Sequence, residues 1–184
     1  MRELSLHLLD IVQNSIEAGA DFIEIEIIED KPQDQFVMEI RDNGRGMSEE
    51  ELVKALDPFY TTRTTRKVGM GLSLLKANCQ ATGGDLFLQS QQNHGTTVKA
   101  VLGLSHIDRP PLGDLAATMV ALVAGSPEVD FCLERKGYDK EYTLDTRELR
   151  ELMAELPLNN PKVLSWLREF IQEREGKNLT SKNV

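Results

Sequence analysis

The 184-residue chain sets 21 basic against 30 acidic side chains, a formal charge of -9, with 40% hydrophobic and 28% charged residues. That balance argues against disorder and against a membrane-embedded protein, and an acidic surface repels a phosphate backbone, so general nucleic-acid binding through a basic face is set aside. Cys79 and Cys132 stand in no CxxC or Cys/His spacing and read as buried thiols, no apolar run approaches the roughly 18 residues that span a bilayer, and no signal-peptide pattern opens the chain; a cytoplasmic, reducing location is expected.

Leu4, Leu8, Leu9, Ile11, Val12 and Ile16 recur at helical spacing and Gly19 follows as a stop, which predicts an amphipathic helix from Leu4 to Ala18. Phe22 to Ile28 alternates isoleucines with Glu24 and Glu26 as a strand does, and a second strand runs from Phe36 to about Arg41, ending in the turn Asp42-Asn43-Gly44-Arg45-Gly46. Ser48 before Glu49, Glu50 and Glu51 predicts a capped helix start, with the helix ending near Leu56. From Asp57 to Met70 no periodicity holds, which predicts a long loop. Gly71 opens a further helix closed by Gly83-Gly84, and strands follow at Asp85 to Ser90 and Thr96 to Leu104. Pro110 and Pro111 mark a linker and place a domain boundary near residue 105. Beyond it the patterns predict a helix from Leu112 to Ala124, a hairpin from Val129 to Leu144 turning at Lys136-Gly137, and helices at Asp145 to Glu155 and Pro161 to Glu175. Tyr138 and Tyr142 read as packing on one strand face, and Leu164, Trp166, Leu167, Phe170 and Ile171 as a core stripe.

Four segments carry candidate chemistry. Asp10 and Asn14, four apart, leave one helix face, and a carboxylate with an amide so placed suits hydrated Mg²⁺; taken alone, the pair also has the look of a solvated polar stripe. Asp42 at a strand end suits an exocyclic base amine, with glycines letting backbone approach a flat ring, although Asp-Asn-Gly also forms ligand-free turns. Gly69-Met70-Gly71 leads straight into a helix, whose free amides and dipole suit phosphate oxygens, and Arg63, Arg66 and Lys67 precede it on what reads as either a phosphate lid or a solvated loop. Neither a Walker A loop nor a Rossmann fingerprint is present. Gly95-Thr96-Thr97 opens the last strand of the unit with hydroxyls.

Together these segments resemble the GHKL superfamily, which includes the gyrase B subunit, heat-shock chaperone ATPases, histidine kinases and mismatch-repair ATPases. Leu9 to Ala20 is similar to its N box, Asp42 to Met47 to its G1 box, Asp57 to Thr62 to the F box of histidine kinases, Lys67 to Leu74 to its G2 box, and Gly95-Thr96-Thr97 sits at the G3 position. The resemblance covers residues 1 to 104 and implies an α+β Bergerat fold, a two-layer sandwich whose mixed sheet is covered by helices on one face, with residues 105 to 184 as a small α+β extension. It implies ATP and Mg²⁺ as ligands, with Asn14 on the metal, Asp42 on the adenine amine, Gly44 and Gly46 lining the base pocket, Gly69 and Gly71 holding phosphates, Thr97 reinforcing the adenine contact, and Met47, Lys67 and Leu72 also binding the nucleotide, Lys67 as a candidate electrostatic helper. Asp10 stands where hydrolytic members carry a glutamate and is the candidate base, one methylene shorter.

The function these features imply is a slow ATPase or an ATP-dependent regulator of a protein partner, with a protein-serine kinase of the anti-sigma type and a non-catalytic nucleotide-dependent binding module as alternatives. A homodimer is compatible with it. None of His7, His94 and His106 sits in a His-Glu phosphoacceptor context, and the chain opens at the N box, so a complete sensor kinase is not expected.

Overall fold

Strand alternation decides the architecture. In β1 (Phe22–Asp30) Ile23, Ile25 and Ile27 are buried, and in β2 (Gln35–Asp42) so are Phe36, Met38 and Ile40; the antiparallel register sets Ile25 opposite Ile40 and Ile27 opposite Met38, so one face of the pair is apolar. Each such side chain contributes roughly 1.5–3 kcal/mol by leaving water. The computed structural model describes residues 2–55, 71–153 and 156–176.

β3 (Asp85–Gln91) and β4 (Gly95–Gly103) form a hairpin that joins β2 through β4, while β5 (Asp130–Gly137) runs parallel to β1 and β6 (Lys140–Asp145) returns along it. The result is a mixed six-stranded sheet in the order β3-β4-β2-β1-β5-β6. Its apolar face is covered by α1 (Leu4–Glu17), α3 (Gly71–Ala81), α4 (Leu115–Gly125) and α6 (Pro161–Arg174), which share one buried cluster with the strands. The other face carries charge: Glu39, only 7% exposed, pairs there with Arg41 at 2.5 Å and Lys99 at 3.4 Å. This is the expected α+β sandwich with helices on one face.

Short α2 (Glu49–Lys54) starts in a capping box, Ser48 accepting from the Glu51 amide while Glu51 reaches back to the Ser48 amide. The expected boundary near residue 105 falls in the connection between β4 and α4, and the strands beyond it continue the same sheet. That connection is tied down at both ends. Ser105 bonds Asp34 through its amide and its hydroxyl, both at 2.9 Å, and the carbonyls of Pro111 and Leu112 accept from the Leu4 and Ser5 amides at 2.9 and 2.8 Å. Those two carbonyls satisfy first-turn donors of α1, whose cap residue Glu3 supplies no side-chain bond.

Several boundaries differ from the sequence reading for local reasons. α4 starts at Leu115 rather than Leu112, because Asp114 caps it by accepting from the Ala117 amide at 2.9 Å. The last hairpin turns at Tyr138-Asp139 rather than Lys136-Gly137: Lys136 is held on β5 by Glu26 at 2.7 Å and Glu134 at 2.8 Å. Tyr138 therefore lies outside the strand alternation and is 82% exposed, while Tyr142 is buried, edge-on to Phe170. α5 (Thr146–Leu152) begins after Asp145, which caps it by accepting from the Arg147 amide. In the α6 stripe Leu167 and Ile171 are core, but Trp166 is 39% exposed and stacks on Phe170. Cys79 is fully buried and burial pushes its thiol up to about 12, so it stays protonated; Cys132 is half-buried on the charged face, its thiol raised to about 11 by burial.

Candidate functional site

β2 ends at Asp42, whose side chain shares the parity of Phe36, Met38 and Ile40 and so points toward the helix layer. Among the described residues, three donors hold the carboxylate. The Gly44 and Thr96 amides donate to Oδ1 at 2.9 and 3.2 Å, and the Ser15 hydroxyl donates to Oδ2 at 2.7 Å. A carboxylate offers about four acceptor positions, so one remains for a further donor. Ser15 stands on the buried side of α1 and its neighbour Asn14 on the exposed side, so one helix turn both orients Asp42 and presents the amide.

The turn after Asp42 is stitched to three elements. The Asn43 side chain accepts from the Asp21 and Phe22 amides, both at 3.1 Å, the Arg45 amide donates to the Ala18 carbonyl at 2.9 Å, and the Met47 amide donates to the Ser90 hydroxyl at 2.8 Å. Gly44 and Gly46 are both buried, and Met47 is half-buried. Gly46 sits at φ +64, and a Cβ there would lie 2.0 Å from the Gln91 carbonyl oxygen. Backbone packing against the β3-β4 hairpin thus requires glycine at position 46, while a Cβ on Gly44 would be crowded at 3.0 Å by the Ala18 carbonyl oxygen.

Thr97 takes a different place from the one expected. It pairs with Arg41, while Thr96 pairs with Asp42, and the two-residue strand period turns Thr97 to the charged face. Thr96 is the threonine beside Asp42, its hydroxyl 2.9 Å from that of Ser90.

The second half of the site is the start of α3. A Cβ built on Gly71 would fall 1.8 Å from Asp10 Oδ2 and 2.9 Å from its Cγ, so the Asp10 carboxyl group lies over the space a side chain there would take and would have to move aside for one. One turn earlier on α1, His7 is buried, its Nε2 3.1 Å from Asn78 Nδ2, and it is hydrogen-bonded to the Gly71 backbone. Burial, the largest cause, lowers its pKa against the opposing pull of Gly71 and Asp10. Leu72 is half-buried against the core. Lys67 and Gly69, like Arg63, Arg66 and the rest of the expected loop, lie outside the described residues.

α1 therefore brings Asp10 to Gly71 and Ser15 to Asp42, with Asn14 adjoining Ser15. Ser15, Asn43 and His7 were given no site role from the sequence, and Thr96 was named only within Gly95-Thr96-Thr97, the adenine contact being assigned to Thr97. Ser15 had a signal: it continues the buried stripe of Leu4, Leu8, Ile11 and Val12, where a hydroxyl needs a partner. Among the described residues no cluster of three or more His, Cys, Asp or Glu side chains is placed to hold a metal. Asn14 and Asp10 are hard oxygen donors of the kind that suits Mg²⁺ sharing its sphere with waters and phosphates. A cavity of about 160 Å³ opens at the opposite end of the sheet, beside Glu29, Arg135, Lys140 and Glu175; the charges there are already paired, and it contributes nothing to this site.

An oriented carboxylate at a strand end and a helix opening on glycine are thus both braced by the amphipathic α1. The chain belongs to the family of histidine kinase-, DNA gyrase B- and HSP90-like ATPases, whose model matches residues 2–106. It is 31% identical over 100 residues to the C4-dicarboxylate transport sensor protein DctB of Pseudomonas aeruginosa, a match spanning 54% of this chain and 16% of that protein. It is 29% identical over 104 residues to sporulation kinase E of Bacillus subtilis, spanning 54% of this chain and 14% of that protein. The matches thus cover about a sixth or less of these relatives' length. The crystal structure of the N-terminal domain of a DNA repair protein shares the fold, with a TM-score of 0.50 at 17% identity over 79% of this chain and 52% of that one. No helix among the described residues is long and apolar enough to cross a membrane.

Proposed function

We propose that the chain binds Mg-ATP between α1, the end of β2 and the start of α3, and uses it as a slowly hydrolysed conformational ligand that regulates a protein partner. The observation that carries this reading is the Asp42 carboxylate, held by Ser15, Gly44 and Thr96 with one acceptor position left for the adenine amine. Asn14 would hold the metal together with the phosphates; Mg²⁺, when bound, neutralises phosphate charge. Gly71 leaves room at the amino end of α3, where backbone amides favour anions.

Slow turnover is supported by Asp10. It is the candidate base, it is one methylene shorter than the glutamate of hydrolytic relatives, and it packs against Gly71, so its reach toward an attacking water is short. A protein-serine kinase is the second reading; the match to a sporulation kinase supports phosphoryl transfer to a protein and leaves the acceptor residue open.

The test is the purified chain with γ-labelled ATP and, in parallel, calorimetric titration of wild type and Asn14→Ala. Binding with little free phosphate supports the regulator, label moved to a candidate partner supports the kinase, and rapid phosphate release refutes slow turnover. Asn14→Ala should abolish Mg-dependent binding while leaving the thermal melt unchanged; undiminished affinity would remove the site as drawn.

A further inference from the structure

We infer that His7 is a positioning residue for the phosphate end of the nucleotide site, setting where α3 begins relative to α1; the inference rests on the proposed binding of ATP. His7 is 1% exposed on the inner side of α1, one turn before Asp10. Its Nε2 lies 3.1 Å from the Asn78 side-chain nitrogen. An amide nitrogen donates only, so Nε2 accepts. With Nε2 accepting, the neutral ring carries its hydrogen on Nδ1, and the Gly71 backbone is its second partner.

A single neutral ring thus grips α3 at two points, its first residue and Asn78 two turns further on. Two anchors on one face fix both the height and the rotation of the helix. The same first residue faces the Asp10 carboxylate, whose Oδ2 lies 1.8 Å from where its Cβ would be, so the amides that would meet phosphate are located by α1, the helix that also carries Asn14. An apolar side chain would fill the space and hold neither anchor. Among the described residues the charged group acting on the ring is Asp10 on its own helix.

A purely structural histidine would weaken every ligand alike, whereas a positioning residue at the phosphate end separates triphosphate from nucleoside. The experiment uses the full chain as wild type, His7→Leu and His7→Gln, with calorimetric affinities for Mg-ATP and for adenosine. His7→Leu is expected to lose about tenfold in Mg-ATP affinity, the equivalent of one or two net hydrogen bonds, with adenosine changed by less than about twofold, and His7→Gln to recover part of the loss. Parallel losses for both ligands, or none for either, overturn the inference while leaving the nucleotide reading in place; a wild-type chain that binds no Mg-ATP overturns both. Should His7→Leu not fold, His7→Gln carries the same comparison. Imidazole nitrogen shifts of wild type add a variant-free check, expected to show the Nδ1–H tautomer, and an Nε2–H tautomer would overturn the two-point grip.

Discussion

Replacing Asp42 by asparagine exchanges one oxygen for a nitrogen, and the structure says what that one exchange should do. The retained oxygen still accepts from the Gly44 and Thr96 amides, and the new amide nitrogen faces the Ser15 hydroxyl, which can turn and accept. The local bonds survive, so stability should fall by less than about 1 kcal/mol. The remaining position becomes an N–H pointing at another N–H of the adenine amine. Losing a hydrogen bond to a charged acceptor and leaving a donor unpaired together cost about 3 kcal/mol, or a little over a hundredfold in ATP affinity. Inorganic triphosphate, which never meets Asp42, should bind as before. GTP, whose base offers a carbonyl where adenine has its amine, should gain on ATP. Calorimetric titration of Asp42→Asn with ATP, GTP and triphosphate, beside a thermal melt, reads all of these. Equal losses for ATP and triphosphate would refute the assignment of Asp42 to the base.

The same geometry sets three further outcomes. Thr96→Val should weaken ATP several-fold by disturbing the Ser90 contact beside Asp42, while Thr97→Val, on the charged face, should leave affinity unchanged; titration of both decides which threonine belongs to the site. Gly46→Ala has to place a Cβ against the Gln91 carbonyl at a positive φ, so it should destabilise by about 2–4 kcal/mol in urea unfolding. Glu175 closes a buried network with Arg135, Lys140 and Tyr142: burial pushes its carboxyl pKa up, but the Lys140 hydrogen bond, the Arg135 charge and the Tyr142 hydroxyl outweigh it and the net shift is down. A depressed carboxyl stabilises above the ordinary glutamate value of about 4.3 and loses that stabilisation as pH falls through its lower folded value. Glu175→Gln should therefore cost about 3 kcal/mol at pH 7, where among the described residues it leaves Arg135 with the Glu29 carboxylate alone, and should flatten the acid limb of the stability profile; an unchanged limb would contradict the network's role.

Much of the fold was legible because local pattern and packing agree. The period of α1 and the isoleucine alternation of β1 each specify both an element and its buried side, and α1 ends one residue from where Gly19 suggested. Long-range pairing was not legible: β5 joins β1 in parallel across about a hundred residues, and neither strand's own sequence names its partner. Arg135 shows the same limit, since a charged residue at a strand position reads as outward, yet its register opposite Ile27 and Tyr142 turns it inward to Glu29 and Glu175. In the site, Asp10, Asn14, Asp42 and Gly71 stood out as chemistry at glycine-marked corners. The groups that hold them did not, because the Ser15 and His7 contacts depend on which helix face meets which strand end, and the choice of Thr96 over Thr97 depends on a one-residue register.

The carbonyls of Pro111 and Leu112 finish the first turn of α1, and β5 covers the open side of β1. A recombinant fragment cut after residue 104 would keep each motif residue yet start its nucleotide helix with dangling amides and expose an isoleucine-rich strand border, an invitation to aggregation. Anyone dissecting this protein should expect the shorter piece to need the rest of the chain to stay in solution. By the same token, whatever pulls on the proline segment pulls on the helix that carries Asn14.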